Sequence, residues 1–410
     1  MLDLETPREI LDLASTPRRF APANAEELAA ALREAAEAGQ AVVPWGGGTE
    51  QRLGVPPSRC DVVLETRNLS GIIAYAPEDL TVSVQAGTTV AEVRAALAPH
   101  GQFLPFDVPE PEQATIGGIL AANTASVRRF RYGAARDLVI GMTTALSSGG
   151  LCKAGGKVVK NVAGYDMCKL WVGSLGTLGV FTSANFRVQP VCKVTTSVSC
   201  RFPTWEAAVR TGLTLAGQSQ AWSALIARGG VDPCLMVVAE GFAGSVGVAV
   251  AAVSAAAARE GGKCTVENDP LAVENTLRDL ARFAGDYPER DGALLRGSVA
   301  PGLLLQAPAS LLTSFAAAGL PSEWQADVGV GSVLCRVTGT DDRVADAVRL
   351  ARSALAPLDG RLIVAAGSAA LRRMVDPWGA PEGAAPLSRA IKAKMDPTGT
   401  LNPGRFCYGL

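Results

Sequence analysis

Three glycine-rich segments lie far apart in this chain: Pro44-Trp45-Gly46-Gly47-Gly48-Thr49, Thr115-Ile116-Gly117-Gly118 and Gly173-Ser174-Leu175-Gly176-Thr177-Leu178-Gly179-Val180. Glycine carries no Cβ to hold a ligand off the backbone, and it reaches the positive φ values that aim successive N–H groups at an anion. A single Gly-Gly-Gly is most simply a turn. Three such segments in the first half of one chain imply a phosphate-bearing cofactor. The commoner nucleotide sites are excluded, because a P-loop needs Gly-x-x-x-x-Gly-Lys-Ser/Thr and a Rossmann unit needs Gly-x-Gly-x-x-Gly opening a helix. Here the first segment continues Glu50-Gln51-Arg52-Leu53-Gly54 into Val55-Pro56-Pro57, a turn and not a helix.

The elements that position these segments follow from periodicity. Asn24 with Glu27 three residues on predicts a helix N-terminus; Leu28, Leu32 and Ala35 continue it at helical spacing, and Gly39 closes it. Ala41–Pro44 predicts a short buried strand that delivers the chain into the first glycine loop, with Val62–Glu65 as the next strand. Thr81–Gln85 alternates as a half-buried strand does, and a helix follows over Val90–Ala98. The chain from Asp137 to Leu146 predicts a strand that turns at Gly149-Gly150. The pattern is α+β, two small sheets with a cofactor between them. After Pro190, strands at Leu235–Glu240, Ala293–Val299 and Ser332–Val337 alternate with helices at Gly244–Arg259, Pro308–Ala318 and Asp341–Ala356. This predicts an antiparallel sheet with helices on one face. A last helix spans 386–395 and stops before Pro397.

The order of strand, Gly-Gly-Gly-Thr, Thr-Ile-Gly-Gly, Gly-Ser-x-Gly-Thr-Leu-Gly-Val and Asp-Pro-x-Gly-x-Leu-Asn-Pro-Gly resembles the vanillyl-alcohol-oxidase (PCMH) type of FAD-dependent oxidoreductase. Lys160-Asn161-Val162-Ala163-Gly164-Tyr165-Asp166 and the ending Asp396–Phe406 are similar to the E-type flavin subunits of bacterial glycolate oxidase (glycolate dehydrogenase) complexes. The likeness covers the first half and the tail; between them it is one of general layout. It implies a two-subdomain FAD-binding domain over residues 1–190, a cap domain over 191–380, and a helix and tail over 381–410 that return to the FAD domain. The cofactor-binding residues it implies are Trp45, Gly46, Gly47, Gly48, Thr49, Gly54, Thr115, Gly117, Gly118, Asn123, Lys160, Gly179, Val180 and Asn402. Trp45 stands where arginine is frequent in the family, and Ser126 where glycine is frequent. The first loop has no histidine for covalent attachment, so FAD is expected to be non-covalent. A side chain at Gly47 is expected to obstruct the pyrophosphate.

The 410 residues exceed what one core usually serves, so two domains are expected. A net charge of −1 gives no electrostatic reason to expect nucleic acid. Residues 1–20 are charged throughout and no long apolar run occurs, so the expectation is a cytoplasmic protein, held if at all to the inner membrane face through a complex. Nine cysteines without a Cys-x-x-Cys pair are expected to be small buried hydrophobes, with neither disulfide framework nor iron–sulfur site. Between Arg128 and Lys169 eight basic residues (Arg128, Arg129, Arg131, Arg136, Lys153, Lys157, Lys160, Lys169) face two acids, Asp137 and Asp166, a field suited to pyrophosphate, flavin or an acidic partner.

Oxidation beside a carboxylate needs a base and a cation to grip the acid. The single histidine, His100, ends a helix in the cofactor domain, so no metal site can be assembled and no catalytic residue is assigned. Arg372 or Arg373 could bind a carboxylate. The leading expectation is an FAD-binding subunit that oxidises glycolate to glyoxylate together with a paralogous flavin subunit and an iron–sulfur subunit. An autonomous dehydrogenase of another small 2-hydroxy acid or alcohol and an inert assembly subunit are the alternatives.

Overall fold

The computed structural model describes residues 7–156, 165–218, 221–287 and 291–410; Lys160 and the start of its motif lie outside them. After a short helix at Pro7–Leu11, a longer one spans Ala25–Glu37, and the Asn24 side chain accepts the Glu27 N–H at 2.8 Å while the Glu27 carboxylate accepts the Ala23 N–H. Its Leu28, Leu32 and Ala35 pack on Val42, Val62 and Leu64. These belong to a three-stranded parallel sheet in which Val62–Glu65 lies between Arg18–Phe20 and Val42–Trp45.

A second sheet is antiparallel, ordered Ile72–Ala76, Thr81–Gln85, Val180–Arg187, Val139–Ala145, Leu151–Gly155. The second glycine segment, expected as a loop, opens a helix over Ile116–Ala122 instead. The Thr115 hydroxyl takes the Gly118 N–H there, a capping signal that the paired glycines masked.

Gln102–Phe103 pairs with Gln189–Pro190 in a two-stranded sheet, and the other strands form one eight-stranded antiparallel sheet ordered Lys263–Glu267, Val194–Arg201, Cys234–Gly241, Trp222–Arg228, Ser322–Asp327, Ser332–Thr338, Gly292–Ser298, Arg361–Gly367. Helices Trp205–Ala216, Ala243–Arg259, Gln306–Ala317 and Asp341–Leu355 share one core against one face. Alanine at 249, 256 and 257 lets the longest of them lie close to its neighbours. The helices are not confined to that face. Pro270–Gly285 lies on the other, where Val273, Leu277 and Leu280 pack with Ile226, Val238 and Val127. The sequence hid this because an antiparallel strand buried on both sides loses its alternation.

One expectation about cysteine is corrected. Cys200 and Cys264 are bonded across two adjacent strands, where the register sets them directly opposite. A separation of 64 residues gives no hint of that pairing. Cys60, Cys168 and Cys335 are free and buried, and burial pushes the Cys60 and Cys335 thiols up to about 12.

Two buried polar clusters fix the sheets relative to one another. Lys392, on the helix Ala385–Met395, donates to the Thr177 and Leu401 carbonyls and to Asp396, each at 2.7–2.8 Å. Asp396 also accepts the Thr400 and Leu401 N–H groups, so the tail folds back and Leu401 lies beside Val42. The second cluster centres on Arg128, which reaches Asp107 at 2.8 and 3.0 Å and Glu240 of the large sheet at 3.1 Å. Tyr132 donates to Glu240 at 2.7 Å and Ser126 to Asp107 at 2.7 Å. Burial alone would raise the Asp107 pKa, but the Arg128 guanidinium overrides it and holds the carboxyl below its usual range.

Replacing Arg128 by Leu leaves buried Glu240 without its cation and Asp107 with only Arg94, 3.7 Å away. Urea denaturation should show a loss of about 3–5 kcal/mol, the range for breaking a buried pair from one side. A loss below 1 kcal/mol would mean that water reaches this cluster freely.

Candidate cofactor cleft and substrate cavity

The strand Val42–Trp45 ends where the chain must reverse, and Gly46, Gly47 and Gly48 make the reversal beside the segment that precedes Ile116. The fit is tight. A Cβ at Gly46 would stand 2.3 Å from the Thr115 hydroxyl, and one at Gly47 would stand 1.8 Å from the Gln113 carbonyl oxygen. A Cβ at Gly47 would therefore point into protein, so Gly47 lines the cleft through its backbone, and close packing against Gln113 is itself a reason for glycine there. Among the described residues nothing accepts the N–H groups of Gly46, Gly47, Gly48 or Thr49, whereas those of Gly117 and Gly118 go to the Ala86 carbonyl and the Thr115 hydroxyl. The donors available to a ligand are those of the first loop.

A narrow cleft runs along this loop. It is lined by Trp45 through Gln51, Gly117, Gly118, Gly179, Val180, Asn402 and Arg405. Asn402, at φ +47°, donates to the Leu175 carbonyl at 2.7 Å, and its buried Oδ1 has no partner. Gly179 reaches φ +158°, and a Cβ there would stand 2.3 Å from the Thr144 methyl. Thr115 and Gly54 lie behind the cleft. Thr115 backs Gly46, and Gly54, at φ +82°, gives its carbonyl to Arg372. Asn123 ends the helix Ile116–Ala122 at φ +51° with its buried Oδ1 unpaired. Glycines that a Cβ would crowd, free first-loop N–H groups and an orphaned amide oxygen all fit a phosphate-bearing cofactor. The residues that would hold it are Gly46–Thr49, Gly118, Gly179, Val180 and Asn402.

The cleft opens into a cavity of about 940 Å³ between the two glycine segments and the large sheet. Residues missed from sequence gather here: Glu50, Arg129, Arg296 and Asp327. Sheet register brings two of them to one face. Arg296 pairs with Leu334, Leu334 with Gln325, and Asp327 follows two residues on, opposite Ser332. Burial raises the Glu50 pKa against the Thr124 hydroxyl, which donates to it at 3.1 Å, and against Arg296. Burial pushes Asp327 up to about 7, opposed by Arg129 and by the Gly329 and Val330 N–H groups. Its Oδ1 is buried without a partner. The one sequence signal for any of these four was the basic run that contains Arg129.

Other candidates lie elsewhere. Arg372 is buried, donating to the Gly367 and Gly54 carbonyls, and Arg373 pairs with Asp12 at the surface. Neither lines the cavity. Tyr165 is 95% exposed, and His100 is exposed beside the Tyr75 ring. Among the described residues no three His, Cys, Asp or Glu groups gather as metal ligands, and no helix is long and apolar enough to cross a membrane.

Residues 17–155 match the FAD binding domain family, and this part of the chain is an FAD binding domain. Glycolate oxidase subunit GlcE of Escherichia coli (strain K12) is 39% identical over 150 residues, 36% of this chain and 42% of that protein. Glycolate oxidase subunit GlcD of Bacillus subtilis (strain 168) is 34% identical over 192 residues, 47% of this chain and 41% of that protein. The chain thus spans about two fifths of the length of these curated relatives. The solved structure of 4-ethylphenol oxidase from Gulosibacter chungangensis, an isoeugenol complex, matches with TM-score 0.73 over 94% of this chain and 88% of that one. At 14% identity this is a likeness of fold.

Two substitutions separate packing from cofactor binding. Gly118 lines the cleft, and a Cβ there meets only the Thr115 hydroxyl, at 3.2 Å. Gly118→Leu should therefore fold and purify with little flavin absorbance, whereas Gly47→Val should fail at the folding step because its Cβ meets backbone. A yellow, soluble Gly47→Val protein would refute the packing account.

Asp327 supplies a pH signature. A carboxyl whose pKa is raised on folding, from 3.8 to about 7, binds protons more tightly folded than unfolded. Stability should then fall as pH rises between those values and level off above 7. Asp327→Asn should remove that decline, so its Tm advantage over the parent protein should grow from pH 5 to pH 8. Parallel Tm curves would show that Asp327 is solvated.

Proposed function

We propose that the chain is an FAD-dependent oxidoreductase acting on the CH–OH group of a small 2-hydroxy acid, as the FAD-binding subunit of a glycolate oxidase (glycolate dehydrogenase) complex. It oxidises glycolate to glyoxylate together with a paralogous flavin subunit and an iron–sulfur subunit. The observation that carries this reading is the pair of guanidinium groups, Arg129 and Arg296, in a cavity continuous with the cofactor cleft. A guanidinium offers a fork of donors matched to a carboxylate, and a half-buried one grips it more strongly than water does. Resemblance to two glycolate oxidase subunits supports the substrate class and the complex.

Bound FAD supplies a two-electron acceptor. The residues of this chain then have separable roles. Gly46–Thr49 hold the cofactor from the parallel sheet, with Trp45, Gly54, Thr115, Gly117, Gly118, Asn123, Gly179, Val180 and Asn402 forming or backing the same site; a part for Lys160 rests on the family resemblance alone. Arg129 and Arg296 orient the acid, and the apolar wall of Ile226, Leu280 and Leu294 excludes water. With no histidine at the cavity, efficient removal of the hydroxyl proton falls to the paralogous subunit. In the cell the chain is cytoplasmic and reaches the inner membrane face through the complex.

A second reading, an autonomous dehydrogenase, is favoured by Asp327. Its unpaired Oδ1 lines the same cavity, and a carboxylate that titrates near neutrality is suited to general base catalysis.

Anaerobic glycolate should leave the flavin absorbance of the purified chain unchanged on the turnover timescale, while co-expression with the two other subunits should give activity whose KM for glycolate rises in Arg296→Gln. Rapid bleaching of the isolated chain, abolished in Asp327→Asn, would establish the second reading in place of the first.

A further inference from the structure

The tail Leu401–Phe406 carries an arginine that the glycine pattern does not call for. Arg405 is 2% exposed, one of the largest fully buried side chains in the protein. Its Nη2 donates to the Gln51 carbonyl at 2.5 Å, while Nε and Nη1 are buried with no partner. Among the described residues no carboxylate pairs with it. Its electrostatic neighbours are a second buried guanidinium, Arg372, which opposes its charge, and the Cys60 thiol. Arg372 itself keeps Nη2 buried and unpaired. A guanidinium withdrawn from water without a counter-ion costs several kcal/mol, and proteins hold such a group only where something else supplies the charge.

The missing partner must lie where Arg405 has access, and Arg405 lines the cofactor cleft. The same stretch of that cleft holds the unpaired N–H groups of Gly46–Thr49, and the Arg405 anchor on Gln51 lies two residues beyond them. Donors from two independent segments, one of them cationic, converge on one short stretch. Of the parts of a dinucleotide, the diphosphate carries the formal charge that this arrangement lacks.

We propose that Arg405 is the counter-charge of the FAD diphosphate, so that the tail, and not only the glycine loop, binds the cofactor. Arg372 stands behind it and holds Gly54 in place through the carbonyl that Arg405 does not reach. Burial pushes Arg405 down to about 9, aided by repulsion from Arg372, and a bound anion would restore it. The inference rests on FAD binding by residues 17–155 and is independent of the substrate.

The test uses the full chain freed of flavin, titrated with FAD, ADP and riboflavin by fluorescence and calorimetry, together with the Tm of each cofactor-free variant. Arg405→Met should weaken FAD and ADP about 10- to 100-fold, the worth of one charge-assisted hydrogen bond, with riboflavin unchanged. Its cofactor-free Tm should equal or exceed that of the parent, because the substitution removes an uncompensated charge, while the Tm gain on adding FAD should shrink. Arg405→Lys should recover part of the FAD affinity. Unchanged FAD affinity in Arg405→Met would overturn the proposal. So would a riboflavin loss equal to the FAD loss, or a cofactor-free Tm that falls in both variants, since either marks a scaffolding role.

Discussion

Arg128 is the interaction on which the placement of the site depends. One guanidinium is divided between Asp107, which follows the strand Gln102–Phe103, and Glu240 of the eight-stranded sheet. Both carboxylates are buried, so Glu240 depends on that cation and Asp107 draws chiefly on it, with Arg94 3.7 Å away. On either side of Arg128 the chain supplies what the two halves share. Val127 packs under the helix Pro270–Gly285, Arg129 enters the cavity, and Phe130 packs into the core of the large sheet. A short segment thus sets the distance between cofactor cleft and cavity wall.

The cleft is shaped first by protein meeting protein. Gly46 and Gly47 are glycine because Thr115 and Gln113 occupy the space a side chain would need. The first-loop N–H groups are left with nothing among the described residues to accept them, while the second segment spends its own on Ala86 and Thr115. Similar glycine patterns therefore play different parts, one as a donor and one as a close-packed support. The Lys392–Asp396 pair extends the same logic to the tail, since a buried ion pair with four backbone partners holds Asn402 and Arg405 at the cleft.

The cavity lining carries five arginines and five carboxylates, with Arg129, Arg296, Glu50 and Asp327 among them, beside apolar walls. Balanced charge keeps the group soluble in the fold, and burial leaves Glu50 and Asp327 readier to hold protons than surface acids are. A small anion entering there meets cations that are already oriented. That is the property the proposed 2-hydroxy acid site requires.

Much of this architecture was legible in the residues. Strands at Val62–Glu65 and Thr81–Gln85, the helix that ends near Met395 and the alternation after Pro190 all follow from period and capping, because local backbone preference and one-sided burial are written in neighbouring residues. The glycine segments marked the cofactor cleft for the same reason, since each is a continuous stretch. What the sequence could not give is what meets across distance. Cys200 faces Cys264, Arg296 and Asp327 share a sheet face, and Arg405 reaches the first loop only through strand register and a folded-back tail. Arg372, expected from sequence as a carboxylate ligand, is buried away from the cavity, while Arg296, which no sequence signal marked, lines it. Residue type states what a side chain can do, but its charge acts within a few ångströms, and only the tertiary structure decides which groups come that close.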